Sequence, residues 1–470
     1  MGFENTAVFH FDPVANSGLT HAATITKASS LELEELLEEN FNKNHIFTST
    51  EDERGMYFHN HIAHHLVTIW ALGAKPATLR SQYERNATYQ RVPVETQQNM
   101  VRDLVDPAVF KRCLGNEFNF ASFTRFFINE IDKLGYQKVL HKYLVDGTEI
   151  ANDVLCRIYM GYVHGIIHIS LALEFRQAKM LAEGLAQACV HHDWWYTEYL
   201  TEAENLAAKK EQPSLPLPDL IDMCRADDRI RTSSSPYYHS QTRPVSGQFA
   251  MDMEPARDGV LKNAKPEILK LAARFRVDPN DIERACAEIQ NAAVYLTAGA
   301  QRPPYICAFD FSLLHTVTSS IGLSVFLSEP SLLNEQKARL LEYTGRIYLL
   351  TYACHGSPEI RLDWLASHPS KLKNQGWPEV FERATYHEDD GHMSKLIRGI
   401  AHAQKTSKPY DHLPEFRIKQ SLFLTAAIAA IDSGSERPMD GVAHFDFIRG
   451  AGFPEPWERF PYRQSVRAQL

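Results

Sequence analysis

The sequence has 470 residues, of which 44% are hydrophobic and 23% are charged. This is the composition of a globular protein, and it excludes a wholly disordered or fibrous chain. The formal net charge is −9 and the basic residues are scattered along the chain, so we expect no nucleic-acid partner. The longest apolar run, 422–431, is shorter than the roughly 20 residues of a membrane span, and we expect no membrane partner.

The cysteine pattern and the N-terminal residues bear on the cellular compartment. The number of cysteines, seven, is odd, and the sequence has no Cys-x-x-Cys motif. This argues against a disulfide framework and against a thiolate zinc site. The N-terminal residues MGFENTAVFH lack the basic and apolar regions of a signal peptide. We therefore expect a cytoplasmic protein.

Helical signals begin near residue 29. Ser29 and Glu32 have the spacing of a capping box before an apolar run, so we expect a helix to begin at Ser29. A second helix is predicted from about Asn60 to Leu72. Gly73 follows its last turn and has the position that commonly ends a helix.

Helical periodicity dominates most of the remaining chain. It extends through 101–145 and 149–208, and it resumes near Lys265 and continues to about residue 353. Another helix is predicted to begin at Asp390. A series of strand-like runs separated by hairpin turns, which would indicate a sheet protein, is absent from the sequence.

One stretch differs in composition from the helical segments. Residues 209–258 are rich in proline and serine, which disfavours long helices. This stretch is either an interdomain linker or a long excursion packed on a single helical domain, and we adopt the second interpretation, in which Tyr237 and Tyr238 are candidate lid residues. The predicted fold is therefore all-α: a single large helical domain over 1–470 with a long Pro/Ser-rich excursion around residues 209–258.

The common catalytic motifs are absent, which narrows the chemistry. The sequence has no G-x-G-x-x-G, no P-loop and no G-x-S-x-G elbow, so it shows no dinucleotide, nucleotide or serine-hydrolase fingerprint. It also lacks H-E-x-x-H and E-x-x-H. The second absence excludes the di-iron helical bundle that uses two E-x-x-H pairs.

Histidine is the unusual feature of this chain, with 21 residues. Four apolar helical segments each contain histidines, and imidazole is the commonest metal ligand in proteins. From the residues alone two interpretations stay open, because a buried histidine is often a core residue that hydrogen-bonds a carbonyl group. The histidines in these segments are His61, His64, His65, His164, His168, His315 and His392.

Short motifs around these histidines occur in a distinctive order. Together they resemble the questin oxidase-like family of fungal polyketide pathways, and the resemblance covers nearly the whole chain. The motifs are Asn60-His61 followed by Leu72-Gly73-Ala74, His164-Gly165, His315-x-x-Thr318 and Asp390-x-His392-x-x-Lys395.

The resemblance implies a mononuclear Fe(II) site. The implied ligands are one histidine from each segment together with a carboxylated lysine: His61, His164, His315, His392 and Lys395. A lysine ammonium cannot bind a cation, but its carbamate can, and the neutral amine that carbamate formation requires is favoured by burial. The hydroxyl group of Thr318 is expected to hydrogen-bond the carbamate or bound dioxygen.

Four further histidines lie close in sequence to His61 or His164. His65 and His168 lie one turn beyond two of the implied ligands, so we expect them to orient ligands or substrate. They are also the alternates if the ligands implied by the family are wrong. His59 and His64 are interpreted as structural.

The resemblance also implies the reaction, which is an oxidative, Baeyer–Villiger-like opening of the central ring of an anthraquinone in secondary metabolism. The implied substrates are O₂ and the anthraquinone or its hydroquinone. NADPH is the implied electron source, but the sequence has no motif that binds it. We therefore expect a separate reductase to reduce the substrate, or nonspecific reduction of iron. The residues alone also fit a zinc or manganese hydrolase, or a non-catalytic helical binding protein.

Overall fold

The computed structural model describes residues 6–51, 57–192, 195–235, 255–434 and 447–463. Helices dominate these residues, and one small two-stranded sheet accompanies them. The prediction of an all-α fold is confirmed.

The internal contacts of the chain divide it into two compact units, and each unit is discontinuous in sequence. The first unit comprises Met1–Glu198, Ile321–Lys337 and Ala384–Arg398. The second comprises Tyr199–Ser320, Ala338–Arg383 and Gly399–Leu470. The assignment of 1–470 to one domain stays a prediction.

The first unit contains the sheet and the N-terminal helices. Strands Phe47–Glu51 and Tyr57–His59 pair antiparallel, with Phe47 opposite His59. The helices and helical turns of this unit are Lys27–Lys43, Ile62–Ala71, Pro76–Ala87, Gln98–Asp103, Pro107–Cys113, Glu117–Asn119, Phe120–Leu134, Tyr136–Leu140, His141–Val145, Glu149–Arg157, Met160–Glu174 and Ala178–Val190.

The described residues of the second unit form helices joined by loops. Its own helices and helical turns are Leu217–Ala226, Asp228–Thr232, Pro255–Val260, Leu261–Asn263, Lys265–Ala272, Ile282–Ala298, Leu362–Ala366, Lys408–Tyr410, Gln420–Gly434 and Glu455–Trp457. The helices that contribute residues to both units are Tyr196–Ala208, Leu314–Ser328, Asn334–Cys354, Trp377–Tyr386 and His392–Ser407.

The first helix begins two residues earlier than predicted. Thr26 is its N-cap, and the Thr26 side chain accepts a hydrogen bond from the backbone N–H of Ser29. The Ser29 hydroxyl in turn accepts a bond from the backbone N–H of Thr26, so the capping box is Thr26 with Ser29. The predicted box of Ser29 with Glu32 is wrong, because Ser29 lies in the first turn of the helix and is itself the partner of the Thr26 cap.

The Pro/Ser-rich stretch contains helices at both ends of its described part. Leu217–Ala226 is a helix of 10 residues with Pro218 in its first turn, where the missing N–H of proline has no helical partner to lose. Residues 236–254, with the lid candidates Tyr237 and Tyr238, lie outside the described residues.

Helix Ala178–Val190 forms the centre of the first unit. All 13 of its residues are buried, and it packs against both Phe120–Leu134 and Met160–Glu174. Two of its buried residues are charged. Lys179 pairs with Glu38 at 2.6 Å, whereas Glu183 faces the ring of His168 across 3.7 Å. The second contact brings a carboxylate into a group of histidines.

Among the described helices, none by itself is both long enough and apolar enough to cross a membrane. The adjacent helices Glu149–Arg157 and Met160–Glu174 meet that criterion only when taken together, and they are bent by 103° relative to each other. The cytoplasmic location stays a prediction.

Candidate metal centre

His61 lies between the second strand of the small sheet and the helix Ile62–Ala71. Asn60 follows the second strand, and its side-chain NH₂ donates to the Asn40 side chain at 2.9 Å and to the His45 carbonyl at 3.1 Å. Its side-chain oxygen accepts from the backbone N–H of Ile62 at 3.0 Å. Asn60 thereby anchors the first turn of helix Ile62–Ala71, and this explains an asparagine directly before His61.

A turn with left-handed backbone conformation directly precedes His164. Gly161, Tyr162 and Val163 have φ values of 54°, 57° and 59° inside the segment Met160–Glu174. This conformation is unfavourable for a β-branched residue such as Val163. The turn brings the Gly161 carbonyl to the His164 ring, whose Nδ1 donates to it. Strained backbone therefore holds the orientation of His164.

Gly161 and Gly165 both occur where a side chain would collide with its neighbours. A Cβ atom at Gly161 would lie 2.6 Å from Cε1 of His191 and 2.7 Å from Cε1 of His59. A Cβ atom at Gly165 would lie 2.8 Å from Cα of Ile158. The glycine of the His164-Gly165 motif is thus required by close backbone packing.

One carboxylate connects two of the predicted ligands. Asp390 accepts a hydrogen bond from Nδ1 of His61 at 2.8 Å with one oxygen, and a bond from Nδ1 of His392 with the other. Burial opposes ionisation of Asp390, but the attraction of the two imidazoles prevails and holds the pKa of Asp390 well below its ordinary value. Asp390 therefore orients both rings as a carboxylate.

The helix His392–Ser407, predicted to begin at Asp390, begins two residues later and has a side-chain cap. The Asp389 side chain accepts from the backbone N–H groups of Gly391 at 2.7 Å and Met393 at 2.8 Å. Asp389 is therefore the capping residue. Gly391 has a φ of +92°, and a Cβ atom there would lie 2.6 Å from Cβ of His65.

The four predicted histidine ligands share one hydrogen-bond arrangement. In each, Nδ1 faces an oxygen acceptor: Asp390 for His61 and His392, the Gly161 carbonyl for His164, and the Phe311 carbonyl at 2.6 Å for His315. Nδ1 is therefore the protonated nitrogen of each neutral ring, and the lone pair of Nε2 is the one available to a metal.

Two of these lone pairs point at each other in the first unit. Nε2 of His61 lies 2.5 Å from Nε2 of His164. The two rings are 4.7 Å apart at their centroids and inclined by only 7°. Burial lowers the pKa of His61 to about 3, so protonation of this ring does not relieve the repulsion at neutral pH. This arrangement suits a shared metal cation.

The ligand atoms of the first unit form two overlapping groups. The nitrogens of His59, His61 and His164 lie within 4.8 Å of one another, and so do the ligand atoms of His61, Asp390 and His392. His59 is interpreted from the sequence as structural, yet its ring stacks on His164 with centroids 4.0 Å apart. No single-residue signal distinguished His59 or Asp390 as members of the site.

Lys395 is buried one turn after His392. Its side chain is only 5% exposed, and its Nζ has no hydrogen-bond partner among the described residues. Burial lowers the pKa of Lys395 to about 8, against the opposing attraction of Asp390 and Asp389. The Lys395 amine is therefore shielded from solvent and readily neutral, as carbamate formation requires.

His315 and Thr318 belong to the second unit. His315 is the second residue of helix Leu314–Ser328 and is buried. The Thr318 hydroxyl donates to the His315 carbonyl at 3.2 Å. Their assignment to the metal site stays a prediction.

The two alternates occupy different environments. Nδ1 of His65 lies 3.4 Å from the side-chain nitrogen of Asn86, and Nε2 of His65 has no hydrogen-bond partner among the described residues. His168 contacts His64, with its Nδ1 at 3.0 Å from Nε2 of His64. Among the described residues, neither His65 nor His168 makes a hydrogen bond to His61, His164 or Asp390.

Comparison with known proteins identifies relatives along most of the chain. A sequence model of the family described as questin oxidase-like matches residues 58–400. The Baeyer–Villiger oxidase ptaJ of Pestalotiopsis fici is 32% identical over 448 residues, which are 94% of this chain and 96% of that protein. The oxidoreductase AflY of Aspergillus parasiticus is 33% identical over 88% of this chain and 81% of its own length. A questin oxidase of Aspergillus fumigatus is 33% identical over 91% of this chain and 92% of its own length.

Proposed function

This chain belongs to the questin oxidase-like family, and we propose that it is an oxidoreductase that opens the central ring of an anthraquinone by a Baeyer–Villiger-like C–C cleavage. The names of the relatives support this proposal, because they include questin oxidases and Baeyer–Villiger oxidases that match nearly their whole length to this chain. The observation that carries the metal-dependent form of the proposal is the 2.5 Å separation of the facing Nε2 atoms of His61 and His164.

The proposed metal is Fe(II), held by four Nε2 atoms and the lysine carbamate. His61, His164 and His392 would contribute from the first unit, with Asp390 fixing the orientation of two of them. His315 and Thr318 are assigned to the site by the family motif alone. When bound, Fe(II) would supply the one-electron chemistry that lets O₂ react with a closed-shell aromatic molecule.

The proposed role of Lys395 is to provide an oxygen anion. Its neutral amine attacks CO₂, a C–N bond forms, and one proton leaves to give the carbamate. The buried Nζ without a hydrogen-bond partner supports this role, because an unpaired buried ammonium would be costly whereas a carbamate beside a metal cation is paired.

The stoichiometry of the proposed reaction requires a reductant for the quinone. One anthrahydroquinone and one O₂ together contain all the atoms of the product, a hydroxybenzophenone carboxylic acid. Starting from the quinone, two electrons and two protons are needed in addition. The absence of a dinucleotide motif from the sequence supports their delivery by a separate reductase that uses NADPH, rather than by NADPH bound to this chain.

The test is a reconstitution with defined metals. Protein purified without oxygen is loaded with Fe(II), Zn(II) or Mn(II) and mixed with chemically reduced anthrahydroquinone and O₂. The proposal expects one iron per chain, O₂ consumption and a ring-opened acid only with Fe(II), and no flavin spectrum. Full activity in the presence of a chelator, or a stoichiometric flavin, would reject it.

The same experiment separates the alternatives. A zinc or manganese hydrolase would bind Zn(II) or Mn(II) and consume no O₂ with any substrate. A helical binding protein would bind no metal stoichiometrically and would tolerate replacement of His61 or His164 by alanine.

A further inference from the structure

A second group of buried imidazoles lies beside the candidate metal centre and is separate from the proposed ligands. Nε2 of His64 lies 3.0 Å from Nδ1 of His168. Nε2 of His168 lies 3.7 Å from a carboxylate oxygen of Glu183, which is an electrostatic contact and not a hydrogen bond, and this nitrogen has no hydrogen-bond partner among the described residues. All three side chains are buried, with residue exposures of 0%, 1% and 6%.

The carboxylate sets the direction of this chain. An ionised Glu183 attracts a hydrogen on Nε2 of His168 and repels a lone pair there. Neutral His168 then carries its lone pair on Nδ1, so it accepts a hydrogen bond from Nε2–H of His64. His64, with its hydrogen on Nε2, presents a bare lone pair on Nδ1. This polarity is opposite to that of His61, which carries its hydrogen on Nδ1.

The His64 end of this imidazole chain is a hydrogen-bond acceptor without a donor. Nδ1 of His64 is buried and has no hydrogen-bond partner among the described residues. The His64 ring lies 5.9 Å from the ring of His61 and 6.1 Å from that of His164, nearly parallel to both. A group that donates a hydrogen bond to this nitrogen would therefore lie next to the candidate metal centre.

A second unfilled polar side chain occurs on the same helix as Glu183. Gln187 follows Glu183 by one turn, is fully buried, and has no hydrogen-bond partner for either of its side-chain polar atoms. Folded proteins rarely leave buried donors and acceptors unpaired, and such groups are commonly satisfied by a ligand or ordered water. The unfilled acceptor on His64 matches a ligand that carries a hydroxyl group.

We propose that Nδ1 of His64 accepts a hydrogen bond from a free phenolic hydroxyl group of the aromatic substrate, and that His168 and Glu183 keep this nitrogen an acceptor. The inference rests on the proposed function for the substrate class, and it assigns the residue that recognises a hydroxyl group of that substrate. His64 is the specificity residue, and His168 and Glu183 are positioning residues.

The first test measures equilibrium binding to the full-length, metal-free protein, with quenching of tryptophan fluorescence as the readout. The probes are 2-hydroxyanthraquinone and 2-methoxyanthraquinone, which differ in the ability to donate a hydrogen bond. The wild type is expected to bind the hydroxyl probe at least about tenfold more tightly. His64→Phe is expected to reduce this ratio to about twofold or less while it keeps its affinity for the methoxy probe.

The matched control is His45→Phe. It removes another fully buried imidazole of the first unit, whose nitrogens contact the backbone of Phe47 and Glu117. This variant should retain the preference of the wild type for the hydroxyl probe. Equal binding of the two probes by the wild type would mean that water alone occupies the His64 acceptor, and it would overturn the proposal, as would a preference that survives in His64→Phe.

The second test does not depend on the folding of the His64 variant. Nitrogen-15 NMR of the histidine rings in the wild type is expected to show the hydrogen of His64 on Nε2, and Glu183→Gln should raise the population with the hydrogen on Nδ1. A wild-type His64 protonated on Nδ1 contradicts the inference. Neither test uses iron or O₂, so a failure of ring cleavage with intact hydroxyl preference would count against the proposed function alone.

Discussion

Nε2 of His61 and Nε2 of His164 lie 2.5 Å apart, and the Nδ1 atom of each ring donates to an oxygen. Because a neutral imidazole has only one N–H, the two facing nitrogens both present lone pairs. The attraction of a cation would convert this repulsive contact into a binding site.

Asp390→Asn should weaken Fe(II) binding by about 10-fold to 100-fold, as is typical when a partner of a ligating histidine is lost. An amide offers only one oxygen, so it cannot accept from Nδ1 of both His61 and His392. Its NH₂ group would face one of those N–H groups. The measurement is the dissociation constant for Fe(II) under anaerobic conditions.

The control for this variant is Asp389→Asn, which makes the same change of charge at the adjacent residue. Asp389 caps the helix through Gly391 and Met393, so we expect a loss of stability of about 1 kcal/mol or less and a nearly unchanged iron affinity. Equal losses of iron in both variants would show that net charge matters and that orientation by Asp390 does not.

Lys395→Ala should lose most activity, and added bicarbonate or a short carboxylate should partly rescue either it or the unmodified enzyme. Lys395→Arg should also fail, because a guanidinium stays charged and cannot ligate a metal. With ¹³C-bicarbonate, the wild type should show a carbamate resonance that is absent from Lys395→Met.

A suitable control for the lysine variants is Lys179→Met, which removes a buried lysine that is paired with Glu38. It should retain the carbamate resonance. Near-normal turnover by Lys395→Arg would eliminate the carbamate from the proposed site.

Gly161→Ala should impair both folding stability and iron binding. Its Cβ would lie within 2.7 Å of the His191 and His59 rings, and its φ of 54° disfavours alanine as well. Gly135→Ala separates the two effects, because Gly135 has a φ of +81° but nothing within 4 Å of an added Cβ. We expect Gly135→Ala to cost about 1–3 kcal/mol for backbone strain with iron binding retained. The measurements are urea unfolding and iron affinity, and equal behaviour of the two variants would contradict a role for the close packing at Gly161.

The metal-free protein should lose stability steeply as the pH falls below about 6.5. Burial lowers the pKa of His61 and His191 to about 3, and that of His45 and His65 to about 4. The unfolded chain therefore binds more protons than the folded chain between pH 6.5 and these values, so the free energy of unfolding decreases with acidification. Each such histidine contributes about 1.4 kcal/mol per pH unit within that window.

This dependence is measured by urea unfolding at pH 7, 6 and 5. His45→Phe should reduce the slope by about one proton, since it removes one buried group that must titrate. A slope that is flat from pH 7 to 5 would show that the buried histidines are protonated in the folded protein.

The helical architecture was accessible from local patterns. Pro107 is the first residue of helix Pro107–Cys113, Gly135 separates helices Phe120–Leu134 and Tyr136–Leu140, and Gly73 follows a helix with a φ of +91° as its position indicates. Apolar periodicity, proline and glycine act on neighbouring residues, so they can be interpreted without knowledge of the tertiary fold. The start of the first helix was misplaced because Thr26 and Ser29 compete with Ser29 and Glu32 for the same capping pattern.

The histidine motifs identified three residues that the first unit holds near one another or near Asp390, namely His61, His164 and His392. The family pattern supplied this choice, since seven histidines in similar apolar segments are indistinguishable by spacing alone. The role of Asp390 was missed because its position before a helix equally suits a cap, and the cap is Asp389.

What the amino-acid order decided, then, was which segments are helical and which of their faces carry imidazoles. For His61 and His64, the tertiary structure decided which imidazole nitrogen is available. His61 and Asp390 are 329 residues apart in sequence, and the His64–His168–Glu183 chain joins three different helices of the first unit. A ring nitrogen is a donor or an acceptor according to the group opposite it, and for these residues that group comes from a remote part of the chain.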